Sequence, residues 1–157
     1  MNIKLIVIAR TDIPYLQQGI DDYTARLRHY CDFELVVIPA LKNAGHLAPD
    51  EVKLREGRLL LKPMSQADRC VLLDEGGKEL TSVAFADYLQ RRMNAGTRTL
   101  AFVVGGAFGF SPEVYATAHE RISLSQMTFT HQMVRLFFVE QLYRAHTILR
   151  HEKYHNA

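Results

Sequence analysis

The chain of 157 residues has no tryptophan and only two cysteines, Cys31 and Cys70. They show neither redox nor zinc-binding spacing, which excludes a disulfide framework and a cysteine metal site. A reduced, cytoplasmic protein is the simplest reading. No apolar run approaches the roughly 20 residues that span a bilayer. Met1–Arg10 does not read as a signal peptide, because Lys4 interrupts it and no small-residue cleavage site follows. An excess of one charge is missing too. Nineteen Lys and Arg against 17 Asp and Glu leave a formal net charge of +2, which rules out a polybasic RNA-coating protein. A nucleic-acid partner would have to be held by a local patch. Repeats, low-complexity tracts and linkers are absent. So are several catalytic signatures. Gly105-Gly106-x-x-Gly109 is not the G-x-G-x-x-G dinucleotide fingerprint, no Gly-Lys-Ser/Thr completes a P-loop, and no G-x-S-x-G elbow marks a hydrolase.

What is present is ordinary globular composition, 48% hydrophobic and 23% charged, fitting one domain over residues 1–157. Ile3–Ala9 is an apolar, β-branched run, expected to be a strand covered on both faces. Pro14–Tyr30 reads as a helix with Leu16, Ile20, Tyr23 and Leu27 on one side. Phe33–Pro39 is a second strand and Leu41–Ala48 a loop. Pro49–Lys62 is a charged helix, expected to stop before Pro63. Arg69–Leu73 is a third strand, with Asp74-Glu75-Gly76-Gly77 expected as a turn. Ser82–Ala95 is a helix with Ser82 as N-cap and Gly96 as its stop. Leu100–Val104 is a fourth buried strand. Ser111-Pro112-Glu113 starts a short helix to about Glu120. Ile122–Leu124 is a fifth strand and His131–Leu149 the last helix. Strands alternating with helices predict an α/β layered domain with a largely parallel sheet.

In such sheets ligands bind beyond the carboxyl ends of strands. Three ends qualify: Leu73–Gly77, Val104–Phe110 and Leu124–Phe129. At Gly76-Gly77 a turn is the better reading. At Gly105-Gly106 a turn and a close ligand approach stand level. His146, His151 and His155 could suggest zinc, but the spacing is one off and no acid or thiolate supports it. Solvated or RNA-facing imidazoles are preferred and no metal is expected. His131 reads as a cap-region residue, with ligand contact as its alternative. The last helix is apolar around nearly its whole circumference, so every side must be buried. Either the chain's own core or a second subunit could cover it; a homodimer is the preferred expectation.

Several short segments occur in order: Leu73-Asp74, Val103–Gly109, Ile122–Thr128, His131–Arg135, Glu140–Ala145 and the ending Tyr154-His155. Together they resemble the ribosomal RNA large subunit methyltransferase H family of the SPOUT superfamily, over essentially the whole chain. The resemblance implies a SPOUT-type fold with a C-terminal trefoil knot. It implies S-adenosylmethionine-dependent methylation of N3 of a pseudouridine in the helix 69 loop of 23S ribosomal RNA, on assembled ribosomes. The implied cofactor residues are Leu73, Gly105, Leu124, Ser125, Gln126, Met127, Thr128 and Phe129. Arg144, Tyr154 and His155 match residues tied to RNA binding or catalysis. By residue type His155 is the candidate base, Arg144 the charge stabiliser and Tyr154 a stacking or hydrogen-bonding partner. Ala107-Phe108 departs from the small, polar or proline residues common at that point. Two other classes are weighed against this reading, a nucleotide-binding oxidoreductase and a non-catalytic RNA- or ribosome-binding dimer. Nicotinamide binding would favour the first, and absence of methyl transfer to ribosomes the second.

Overall fold

The computed structural model describes residues 1–156; Ala157, the last residue of the expected domain, lies outside them. Five strands and five helices alternate along the described chain: β1 (Asn2–Ile8), α1 (Pro14–Leu27), β2 (Asp32–Ile38), α2 (Pro49–Ser65), β3 (Arg69–Glu79), α3 (Ser82–Asn94), β4 (Thr99–Val104), α4 (Pro112–Thr117), β5 (Glu120–Ser123) and α5 (Met133–Leu149). The strands form one parallel sheet in the order β2-β1-β4-β3-β5. Alternate side chains divide the core into two layers, as a strand's two-residue period requires. Ile3, Leu5, Val7, Leu100, Phe102 and Val104 pack under α1, α3 and α5, while Ile6, Ile8, Leu72, Ala101 and Val103 pack under α2 and α4. The expected α/β fold with a parallel sheet is thus observed.

Several boundaries differ from the sequence expectations. Pro63 does not end α2 but sits in its last turn, which closes through Gln66 N–H to Pro63 O and Ala67 N–H to Met64 O, both 3.2 Å. Proline removes one donor there, and little helix remains to be disrupted. The N-cap of α3 is Thr81, whose hydroxyl accepts from Ala84 N–H at 3.1 Å; Ser82 instead donates to Gln141 Oε1 at 2.8 Å. Ser111 caps α4 as expected. Asp74–Gly77 is not a simple turn closing β3. It is an excursion within the strand, after which Lys78 pairs with Ile122, the residue Leu73 had already paired. A Cβ on Gly77 would lie 2.7 Å from the backbone of Arg121 and Ile122, so glycine allows the strand to return against β5. The last helix begins at Met133, two residues later than expected, leaving His131 and Gln132 in the segment leading to it.

The nearly all-round apolar α5 is largely covered by its own chain. It lies between α1 and α3, with Phe138, Val139, Leu142 and Ala145 fully buried. On one side a Cβ added to Gly19 of α1 would reach Leu136 Cδ1 at 2.8 Å, so the two helices pack closely there. Phe137, 41% exposed, is the apolar residue left outside.

Candidate functional site

A cleft of about 540 Å³ opens at the carboxyl ends of β3, β4 and β5. Leu73, Gly105, Leu124, Ser125, Met127, Thr128 and Phe129 all line it, together with Asp74, Glu75, His131 and Val134. Gln126, named beside them from sequence, is exposed and does not line the cleft. One wall is the loop from Val104 to Phe110. Gly109 holds a φ of +84°, a conformation L side chains rarely adopt, and its N–H donates to Gly106 O at 3.1 Å. A Cβ on Gly105 would press at 3.2 Å on the Gly109 carbonyl. The facing wall is shaped by short-range hydrogen bonds. Ser123 Oγ donates to Ser125 O at 2.9 Å, and Ser125 Oγ accepts from Met127 N–H at 2.9 Å.

Behind the glycine loop stands a carboxylate the sequence did not single out. Glu56 of α2 lies against Gly106, where an added Cβ would be 2.5 Å from Oε1. That oxygen is buried and lacks a hydrogen-bond partner among the described residues, and desolvation raises the carboxyl above its ordinary value. The signal was the pair Glu56-Gly57. Gly57 lets α2 approach the Ser111 cap of α4, where a Cβ would meet Ser111 Oγ at 2.4 Å.

The base of the cleft is tied to β1 by two residues given no role in the sequence reading. Arg135 is fully buried and donates to Ile8 O at 2.7 Å, Ala9 O at 2.8 Å, Thr11 Oγ1 at 3.1 Å and His131 O at 3.0 Å. Ala9, at a φ of 63°, is held by this contact in a region non-glycine residues seldom occupy. Gln132 joins the same loop, accepting from Asp12 N–H at 3.1 Å and donating to Arg10 O at 3.3 Å. Burial, then the Arg135 charge, pushes the His131 imidazole below its ordinary value.

Arg144, Tyr154 and His155 come together, but elsewhere. Arg144 Nε donates to Glu140 Oε1 at 3.1 Å, its Nη2 donates to the same oxygen, and its Nη1 lies 3.2 Å from His155 Nδ1. Tyr154 donates to Glu140 Oε1 at 2.9 Å, meets the Tyr23 hydroxyl at 3.0 Å and lies edge-on to Tyr143. The Arg144 guanidinium stands 4.8 Å over the Tyr154 ring. Tyr30 holds the tail further back, donating to Glu152 Oε2 at 2.7 Å; this carboxylate pushes the phenol up to about 12. Val134, at the cleft, and Arg144 are ten residues apart on α5, an axial separation of about 15 Å at 1.5 Å per residue. Among the described residues no three His, Cys, Asp or Glu side chains gather as a metal site, and no helix is long and apolar enough to cross a membrane.

The chain's similarities extend over nearly its full length. The family model described as "Predicted SPOUT methyltransferase" matches residues 1–155. A protein of Flavobacterium johnsoniae named "Ribosomal RNA large subunit methyltransferase H" is 54% identical over 156 residues, 99% of each chain. One of the same name from Parabacteroides distasonis is 52% identical over the same shares. The crystal structure of a probable methyltransferase from Bordetella pertussis Tohama I superposes with a TM-score of 0.56 at 14% identity, over 91% of this chain and 95% of that one. At that identity the likeness is one of fold.

Proposed function

From the premise that this chain belongs to the SPOUT methyltransferase family, we propose that it methylates N3 of a pseudouridine in the helix 69 loop of 23S ribosomal RNA, on assembled ribosomes, using S-adenosylmethionine. The observation that carries the reading is the cleft. Three separate strand ends that resemble cofactor segments of the methyltransferase H family converge on it, in a chain about half identical to proteins of that name. The cleft fits the cofactor. Its volume of about 540 Å³ lies in the usual range for small-molecule sites. Leu73, Leu124, Phe129 and Val134 supply apolar walls, and Glu75 supplies negative charge for a cationic ligand, Asp74 beside it being held by Tyr115 and Arg121. Leu73, Gly105, Leu124, Ser125, Met127, Thr128 and Phe129 would hold S-adenosylmethionine, which would supply an activated methyl group to N3 in exchange for the N3 proton, released to water. The protein's part is to bring the two reactants into line and balance the charge.

The second element of the proposal is a homodimer. Within a protomer Arg144 stands about 15 Å along α5 from Val134 at the cleft, and Tyr154 and His155 are held at Glu140 and Arg144, outside the cleft lining. A two-fold partner can bring its copy of the trio to that cleft. The large apolar side chains exposed nearby, Phe108 at 51%, Met127 at 77% and Phe137 at 41%, supply surface for such a contact.

The test is transfer of labelled methyl from S-adenosylmethionine to ribosomes that lack the modification. Label recovered in 23S rRNA with the intact protein, and none with Gly105→Val, supports the reading. Absence of transfer to ribosomes, with S-adenosylmethionine still bound, would turn it toward a non-catalytic ribosome-binding dimer.

A further inference from the structure

Resting on the methyltransferase reading, we propose that His155 serves the reaction as a hydrogen-bond donor through its Nε2–H and takes no proton from the substrate. The Arg144 guanidinium is held by Glu140. Its Nε and Nη2 both donate to Glu140 Oε1, and this leaves Nη1 facing His155 Nδ1 at 3.2 Å. A guanidinium carries only N–H donors and stays charged. The imidazole nitrogen opposite it must therefore accept. A neutral imidazole has one lone pair and one N–H, so with Nδ1 accepting, the proton resides on Nε2. The lone pair a general base would need is already bound to Arg144.

The surrounding groups offer no substitute. From α5 the cluster receives Glu140, Tyr143 and Arg144, from α1 Tyr23 and Arg26, and from the tail Tyr154. Glu140 Oε1 already accepts from Arg144 and Tyr154, and its Oε2 accepts from Gln141 Nε2 at 3.1 Å. Burial, with the hydrogen bonds to Tyr23 and Glu140, raises the Tyr154 phenol and keeps it neutral. Tyr154 is thus a positioning group and Glu140 the anchor of the array. What the trio keeps free is donors, the His155 Nε2–H and the Arg144 N–H groups not given to Glu140 or His155, while the Arg144 charge itself is balanced by Glu140. These donors suit a pyrimidine whose N3 proton has gone to water, because its negative charge spreads onto the two flanking carbonyl oxygens.

Glutamine and phenylalanine at position 155 separate donor from base. Glutamine offers an N–H but cannot take a proton, and phenylalanine keeps the ring without nitrogen. Single-turnover methyl transfer is followed alongside S-adenosylmethionine affinity, which neither substitution should move. We expect H155Q within about tenfold of the unchanged protein and H155F lower by about 100-fold or more, the scale of a lost charge-stabilising donor. A base would cost H155Q about 10²–10⁴-fold as well. Nitrogen-15 correlation of the imidazoles, assigned by the signal missing in H155Q, should show His155 protonated on Nε2. H155Q as inactive as H155F, H155F at full rate, or a proton on Nδ1 would each overturn the donor role. Failure of the methyltransferase reading would look different: the unchanged protein would transfer no methyl, while the imidazole spectrum would still report the tautomer.

Discussion

Burial pushes the His146 imidazole down to about 4, with the Arg150 charge adding to the effect. The ring is 6% exposed and packs 5.9 Å from Tyr30, and its Nε2 has no partner among the described residues. In the unfolded chain the same imidazole takes up a proton below its ordinary value of 6.5. Stability is therefore full above pH 6.5 and is lost as pH falls from there to about 4, by on the order of 3 kcal/mol. Thermal melts from pH 7 to pH 4 should fall less steeply in His146→Phe. Parallel curves would remove His146 as a source of acid sensitivity. Glu56 works in the opposite sense. Its carboxyl is raised by desolvation, so the folded state favours the protonated form, and stability declines as pH rises through the folded value. Glu56→Gln should then raise Tm at pH 7 and lose that gain in acid. A lower Tm at pH 7 would mean that the carboxylate is needed to hold the glycine loop. At Gly105, valine would press on the Gly109 carbonyl across a 3.2 Å gap. Calorimetry should find S-adenosylmethionine binding abolished in Gly105→Val with the fold kept; unchanged affinity would move the cofactor elsewhere.

Among the elements, those legible in sequence were the ones whose signals are local. Apolar β-branched runs gave β1 and β4, and Ser111-Pro112-Glu113 gave the start of α4. What escaped depends on distant partners. The excursion at Asp74–Gly77 exists because β3 re-pairs with β5 about 45 residues further on. The span of β5 is likewise set by pairing, since Glu120 already faces Val71. The apolar circumference of α5 leaves open whether a second subunit or the chain's own core covers it, and α1 and α3 of the same chain cover most of it. The cleft was legible as three strand ends, but Arg135, Gln132 and Glu56, which brace the segments around it, are brought there only by the fold. The trefoil threading has no local signature at all and stands as an implication of the family resemblance. The tail is anchored by Tyr23, Glu140 and Arg144, outside the residues that line the cleft. Deleting residues 154–157 should thus abolish methyl transfer while leaving S-adenosylmethionine affinity within a few-fold. A deletion with full single-turnover activity would take the tail out of the reaction.

The whole molecule is proposed to work as a pair, with each cleft completed by the other protomer's trio. Sedimentation at micromolar concentration should give twice the 18.0 kDa chain mass. A stable monomer would leave the trio outside the cleft and undo the composite site. Mixed dimers sharpen this further. A Gly105→Val protomer paired with an Arg144→Ala protomer has one cleft and one trio intact, facing each other, and should recover up to half the activity although either variant alone is inactive. No recovery would mean that each protomer uses its own trio. The central claim is the reaction itself, and mass spectrometry of the helix 69 fragment of 23S rRNA tests it most directly. After incubation of unmodified ribosomes with the protein and isotope-labelled S-adenosylmethionine, the fragment should gain one labelled methyl group at N3 of a pseudouridine. A helix 69 fragment of unchanged mass, or a label found on another nucleotide, would contradict it.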